Sequence, residues 1–144
     1  MYKIYKVLYK VNSDFADAAY LTYPLIVVEG DLKENMFGGT INENIIDLLG
    51  IDFMEKEIKD NPINLSYGQQ QKVNLLRVLS SNKSLIVLDE PLTSLDERTQ
   101  ANIINYIKDL KGKMTIIIIM HSSDLDDDAD LILEISNKQL RFSN

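Results

Sequence analysis

Two short apolar runs constrain this chain more than any other feature: Leu85 to Leu88, closed by Asp89-Glu90-Pro91, and Thr115 to Met120. Each is too uniformly apolar to keep one wet face, so each reads as a strand buried on both sides, the habit of parallel sheets. Between them, Glu97 to Leu110 place Ile103, Ile104, Ile107 and Leu110 at helical spacing, and Gly112 follows where a C-terminal cap belongs. Strand, helix, strand implies a right-handed crossover, and hence an α/β chain on a mainly parallel sheet. Pro91 cannot donate to a ladder and turns the chain outward, which leaves Asp89 and Glu90 at the sheet's edge.

The rest of the chain is read around that unit. Ile4, Val7, Leu8 and Val11 recur at helical spacing with Lys3, Lys6 and Lys10 on other faces, predicting one short amphipathic helix over 2–11 with a solvated basic face. Leu25 to Val28, between Pro24 and Glu29-Gly30-Asp31, has the punctuation of a strand. Helical and irregular segments follow to Asn64. Ser66 is a serine N-cap for a helix to about Leu79, with Val73, Leu75, Leu76, Val78 and Leu79 on its apolar face. Asp130 to Phe142 reads as two short strands around Ser136-Asn137-Lys138. A length of 144 residues suits one domain with a core of its own.

Composition narrows the function classes. Apolar residues at 45% and charged residues at 26% are the balance of a globular protein. With no cysteine, neither disulfides nor thiolate metal sites are available, and a reducing compartment is expected. The longest strongly apolar stretch, Met114 to Met120, is far short of the roughly 20 residues a spanning helix needs, so a membrane span is expected on another chain. The lysines after Met1 lead into no secretory signal pattern, and a cytoplasmic protein is expected. A net charge of -7 argues against nucleic acid as partner.

The order Leu65-Ser66-Tyr67-Gly68-Gln69, then Leu85 to Pro91, then Ser94-Leu95-Asp96, then His121 is more specific than any one piece. Together these segments resemble the second half of an ATP-binding cassette ATPase: signature motif and helix, Walker B strand, D-loop and switch histidine. The resemblance covers roughly residues 20 to 142, with about 30–80 as a shortened helical and signature part and 84–142 as the remainder of a single incomplete domain.

The resemblance implies ATP and Mg²⁺ as cofactors and gives each matched residue a role. Asp89, at a strand's carboxyl end, suits Mg²⁺ held directly or through water. Glu90 is the candidate general base. His121, the only histidine, suits a hydrogen bond to a γ-phosphate and a hold on the catalytic carboxylate. Ser66, Gly68 and Gln69 open a helix whose amides and dipole attract phosphate, with Gly68 allowing close approach; in the family they act on a nucleotide held by the opposite subunit. Tyr67 stands where glycine is commonest. Ser94 and Asp96 match the D-loop, which couples the two nucleotide sites of a dimer. Read without the resemblance, these residues are a serine-capped helix, strand-end acids and surface turns.

Partners implied are a transmembrane transporter subunit at the inner face of the cell membrane and a second cassette ATPase, identical or different. Gly39-Thr40-Ile41-Asn42-Glu43-Asn44-Ile45 resembles the segment after the Q-loop of exporter-type cassettes. Counting back puts the Q-loop glutamine at about Leu32, and no residue from Glu29 to Leu32 is glutamine. The pattern Gly, four residues, Gly-Lys-Ser/Thr occurs nowhere; the only Gly-Lys pair, Gly112-Lys113, precedes methionine. That loop supplies much of the grip on phosphate, so the chain alone is expected to bind ATP weakly. A split gene, a degenerate copy and a truncated reading frame all fit. Two functions stay open, an ATPase subunit active in a composite site and a non-catalytic interaction module; the coiled-coil chromosome ATPases are set aside because no heptad stretch is present.

Overall fold

A computed structural model describes residues 2–7, 17–36, 38, 40–136 and 139–143. Its elements run β1 (Tyr2–Val7), β2 (Ala18–Leu21), α1 (Glu43–Leu49), α2 (Tyr67–Leu79), β3 (Leu85–Asp89), α3 (Glu97–Asp109), β4 (Thr115–Met120), β5 (Leu131–Ser136) and β6 (Gln139–Ser143). They fall into two compact units, one of 1–22, 83–91 and 104–144, the other of 23–82 and 92–103.

Among the described residues the first unit holds a six-stranded sheet in the order β2-β3-β4-β1-β5-β6. The two apolar runs form β3 and β4, which pair in parallel from Leu85↔Thr115 to Asp89↔Ile119, as the strand–helix–strand reading requires. β2 adds a third parallel strand on the other side of β3. Leu85, Ile86, Leu88, Ile116 and Ile118 are buried, which is why neither run alternates polar with apolar. Gly112 takes the left-handed conformation expected after α3, at φ 80°. β5 and β6 are the two short strands expected over 130–142, and they pair antiparallel.

Two expectations are overturned. The amphipathic helix over 2–11 gives way, across Tyr2–Val7, to a strand paired antiparallel with both β4 and β5. Tyr2, Ile4, Tyr5 and Val7 are strong strand formers, and ladders on both edges outweigh a helical period that depended on Leu8 and Val11. Leu8, Lys10 and Val11 lie outside the described residues.

The strand expected over Leu25–Val28 is absent; the neighbouring strand is Ala18–Leu21 instead. Side chains occupy the backbone groups that a ladder would have used. Ile26 N–H donates to Asn74 Oδ1 at 3.3 Å, Val28 N–H to Asn35 Oδ1 at 2.8 Å, and Asn35 Nδ2 donates to Val28 O at 3.0 Å.

That segment belongs to the second unit, whose core includes Leu32, Ile45, Leu49, Ile58, Leu75, Leu76 and Ile103. Its helices are closed by side chains as well. Asn42 caps α1 by accepting from Asn44 N–H at 3.1 Å, Gly50 ends it in the left-handed conformation, and Asn102 Nδ2 donates to Leu48 O at 3.1 Å. Asn42 and Glu43, read above as part of an exporter-like segment, are thus cap and first turn of a helix; Gly39 lies outside the described residues. Among the described residues no helix is long and apolar enough to cross a membrane.

Candidate functional site

The sheet unit brings three of the predicted residues to one place. Parallel pairing of β3 with β4 ends at Asp89↔Ile119, and Glu90 N–H extends it by donating to Ile119 O at 2.8 Å. Glu90 and His121 therefore leave adjacent strands side by side at their carboxyl ends, where open α/β sheets place ligands. His121 Nε2 lies 3.2 Å from Glu90 Oε1. Glu90 sits at φ 47°, a left-handed conformation that non-glycine residues adopt at a cost of about 1–2 kcal/mol. Strain of that kind, held by β4 on one side and Pro91 on the other, is a recurring mark of functional positions.

Asp89 is half-buried at the end of β3. Among the described residues no three histidine or acidic side chains cluster tightly enough to hold a metal ion by themselves. Asp89 by itself offers one carboxylate at a strand's carboxyl end, and Mg²⁺ takes one or two carboxylates from protein with its remaining ligands from phosphate and water.

In the other unit, Ser66 and Gln69 form a reciprocal capping box. Ser66 Oγ accepts from Gln69 N–H at 3.2 Å, and Ser66 N–H donates to Gln69 Oε1 at 3.0 Å. The simple reading of Ser66 as a helix cap thus holds, and it accounts for Gln69 too. Gly68 is in the first turn, where a Cβ would stand 2.7 Å from Ser94 O. Exposed Tyr67 stacks on Tyr23 with ring centroids 6.3 Å apart.

Asp96 opens α3 as a cap: Thr99 N–H donates to Oδ1 at 2.9 Å and Thr99 Oγ1 to Oδ2 at 2.7 Å. Those bonds, with Lys72 Nζ 3.7 Å away, hold its carboxyl below the ordinary carboxylate range. Leu32, at the position counted for the Q-loop glutamine, is a core residue only 2% exposed. It also lines an open cavity of about 450 Å³ with Gly30, Glu34, Met54, Lys56 and Glu57.

Sequence reading missed the polar network beneath α2. Arg77, only 7% exposed, donates through Nε to Asn35 O at 2.6 Å and through Nη1 to Ile26 O at 3.0 Å and Asn74 Oδ1 at 2.9 Å. Burial draws the pKa of its guanidinium down. The available signal was Asn74 and Arg77 set among Val73, Leu75, Leu76 and Val78, polar residues inside the helix's apolar stretch.

Residues 24–93 match the family model described as ABC transporter. The energy-coupling factor transporter ATP-binding protein EcfA1 of Thermotoga maritima is 35% identical over 101 residues, 69% of this chain. The chain belongs to the ATP-binding cassette family. The oligopeptide transport ATP-binding protein OppF of Lactococcus lactis is 34% identical over 93 residues, 64% of the chain, and the macrolide export ATP-binding/permease protein MacB of Haemophilus ducreyi 33% over 88 residues, 60% of the chain. These cassette proteins are longer: the matches span 38%, 29% and 13% of their respective lengths. The mixed sheet with three parallel strands agrees with a cassette ATPase fold.

Proposed function

We propose that this chain contributes a cassette ATPase half-site to a membrane transporter, completing ATP hydrolysis together with a second cassette subunit that brings a phosphate-binding loop. The observation that carries this reading is the Glu90–His121 pair at 3.2 Å beside Asp89. When bound, Mg-ATP supplies the electrophilic γ-phosphorus and a cation that offsets charge on the phosphate oxygens.

This chain's residues do the rest. Asp89 contributes one hard oxygen ligand. The Glu90 carboxylate accepts the proton of the attacking water, and His121 keeps that carboxylate in place and offers a donor to the transferred phosphoryl group. Ser66 and Gly68 present the N-terminal amides of α2 to the partner's nucleotide. The transmembrane partner, the position at the inner face of the membrane and the export direction suggested by residues 39–45 belong to the same proposal.

The test is Mg-ATP hydrolysis by the purified chain, alone and mixed with a complete cassette subunit, against Glu90→Gln. Turnover in the mixture that falls with Glu90→Gln, by about 10²-fold or more, is expected. No stimulation, and no difference between Glu90 and its replacement, would sink the composite site.

A second reading, a non-catalytic module that docks on a transporter, has its own support. Ser66 and Gln69 spend side-chain bonds on each other, and the phosphate-loop pattern is absent from these 144 residues. Stimulation of the partner's turnover that is unaffected by Glu90→Gln would favour it.

A further inference from the structure

Gly68 invites an explanation by phosphate approach, but its nearest neighbour lies within this chain. A Cβ there would meet the backbone of Ser94, 2.7 Å from the carbonyl oxygen and 3.8 Å from its carbon. Backbone cannot swing aside as a flexible side chain can. Ser94 itself sits at φ 63°, an unusual conformation for a residue with a side chain.

The same loop meets α2 again one turn later. Lys72, four residues after Gly68 and so on the same helix face, lies 3.7 Å from Asp96 while donating to Gly50 O at 3.2 Å. From α3, Gln100 Nε2 donates to Leu92 O at 3.1 Å and Leu95 O at 3.0 Å, and Leu95 is buried. These contacts hold residues 92–96 from the face of α2 that carries Gly68 and Lys72 and from the first turn of α3.

We propose that the first turn of α2 and residues 92–96 form one interlocked element, in which Gly68 and Lys72 are positioning residues for Ser94 and Asp96. The glycine is required by the Ser94 carbonyl, whatever a nucleotide adds. The signature turn and the D-loop then move together, and a partner would meet both in one state. That consequence rests on the composite-site reading; the interlock itself does not.

The test uses the whole chain without nucleotide. In ¹H–¹⁵N spectra, Gly68→Ala should shift or broaden the amides of Ser94, Leu95, Asp96 and Thr99. Lys72→Met should move Asp96 and Thr99, and Lys72→Arg should restore them. Tyr67→Ala, adjacent and exposed, should leave all four in place. Unchanged amides of Ile45 and Ile58, buried in the same unit, and of Glu90 and His121 in the sheet unit show that each variant has folded.

If Gly68→Ala leaves 92–96 untouched while turnover in the mixed ATPase assay falls, the glycine serves phosphate approach and the interlock is wrong. If the loop shifts yet no mixture hydrolyses ATP, the interlock stands and the composite site falls. Should Gly68→Ala fail to fold, the Lys72 pair decides: no movement of Asp96 in Lys72→Met, or no return in Lys72→Arg, overturns the proposal.

Discussion

The two units of this chain hold themselves together by different means. In the sheet unit, backbone ladders fix six strands and apolar side chains fill the space between, with Leu88, Ile116 and Ile118 wholly buried. In the signature unit, much of the order comes from polar side chains bonded to main chain: Asn35, Asn74 and Arg77 hold 26–35, and Lys72, Asn102 and Gln100 hold loop and helix ends. A ladder tolerates most substitutions that keep an apolar side chain, because its bonds are backbone bonds. A side-chain clamp is lost with the one residue that makes it. The units should therefore fail to different substitutions.

The largest effect is expected in the sheet. Leu88→Ala empties a fully buried position between β2 and β4 and should cost about 4 kcal/mol in urea unfolding. In the signature unit, a polar truncation should come close. Arg77→Met keeps most of the volume but leaves the carbonyls of Ile26 and Asn35 without their buried donor, at about 3 kcal/mol. Arg77→Lys should recover part of that. A cost below about 1 kcal/mol for Arg77→Met would break the comparison, because apolar packing would then hold both units.

The same division explains what was legible in the sequence. β3, α3 and β4 were readable because their stability follows hydrophobic periodicity, which also located Asp89 as the last residue of β3 and Glu90 and His121 as the residues just past β3 and β4. Ser66 was readable because capping is local. Leu25–Val28 misled because its apolar residues suit a strand, while the groups that decide its backbone, Asn35, Asn74 and Arg77, lie up to 51 residues away. β1 misled in the opposite direction for the same reason: its partners, β4 and β5, lie more than a hundred residues later in the chain. Gly68 was noticed, but the contact that constrains it is Ser94, 26 residues on, which no local pattern discloses.

Strain offers a finer comparison, since each unit holds one left-handed residue at a predicted site: Glu90 at φ 47° and Ser94 at φ 63°. Glycine adopts that conformation freely, so Ser94→Gly should raise stability by about 0.5 kcal/mol in the same unfolding assay. Glu90→Gly should gain a similar amount while abolishing any turnover that depends on the carboxylate. A loss of stability in Ser94→Gly would mean that the serine side chain itself holds the loop.

The smallest effect concerns acid. Asp96 in the signature unit is held below the ordinary value of 3.8, chiefly by Thr99, and Asp17 in the sheet unit likewise, chiefly by Lys83 and then Ser84. A depressed folded-state pKa stabilises above the unfolded value, and that contribution is lost as pH falls through the folded one. Both units should therefore weaken in the same direction between about pH 5 and about pH 2. Asp96→Asn keeps a good capping side chain but cannot titrate, so its unfolding midpoint should fall less steeply across that window than that of the unaltered chain. Asp17→Asn should flatten the same limb through the other unit. If only Asp17→Asn does so, the Thr99 bonds to Asp96 contribute a cap and no charge preference, and the acid sensitivity of the chain lies in its sheet.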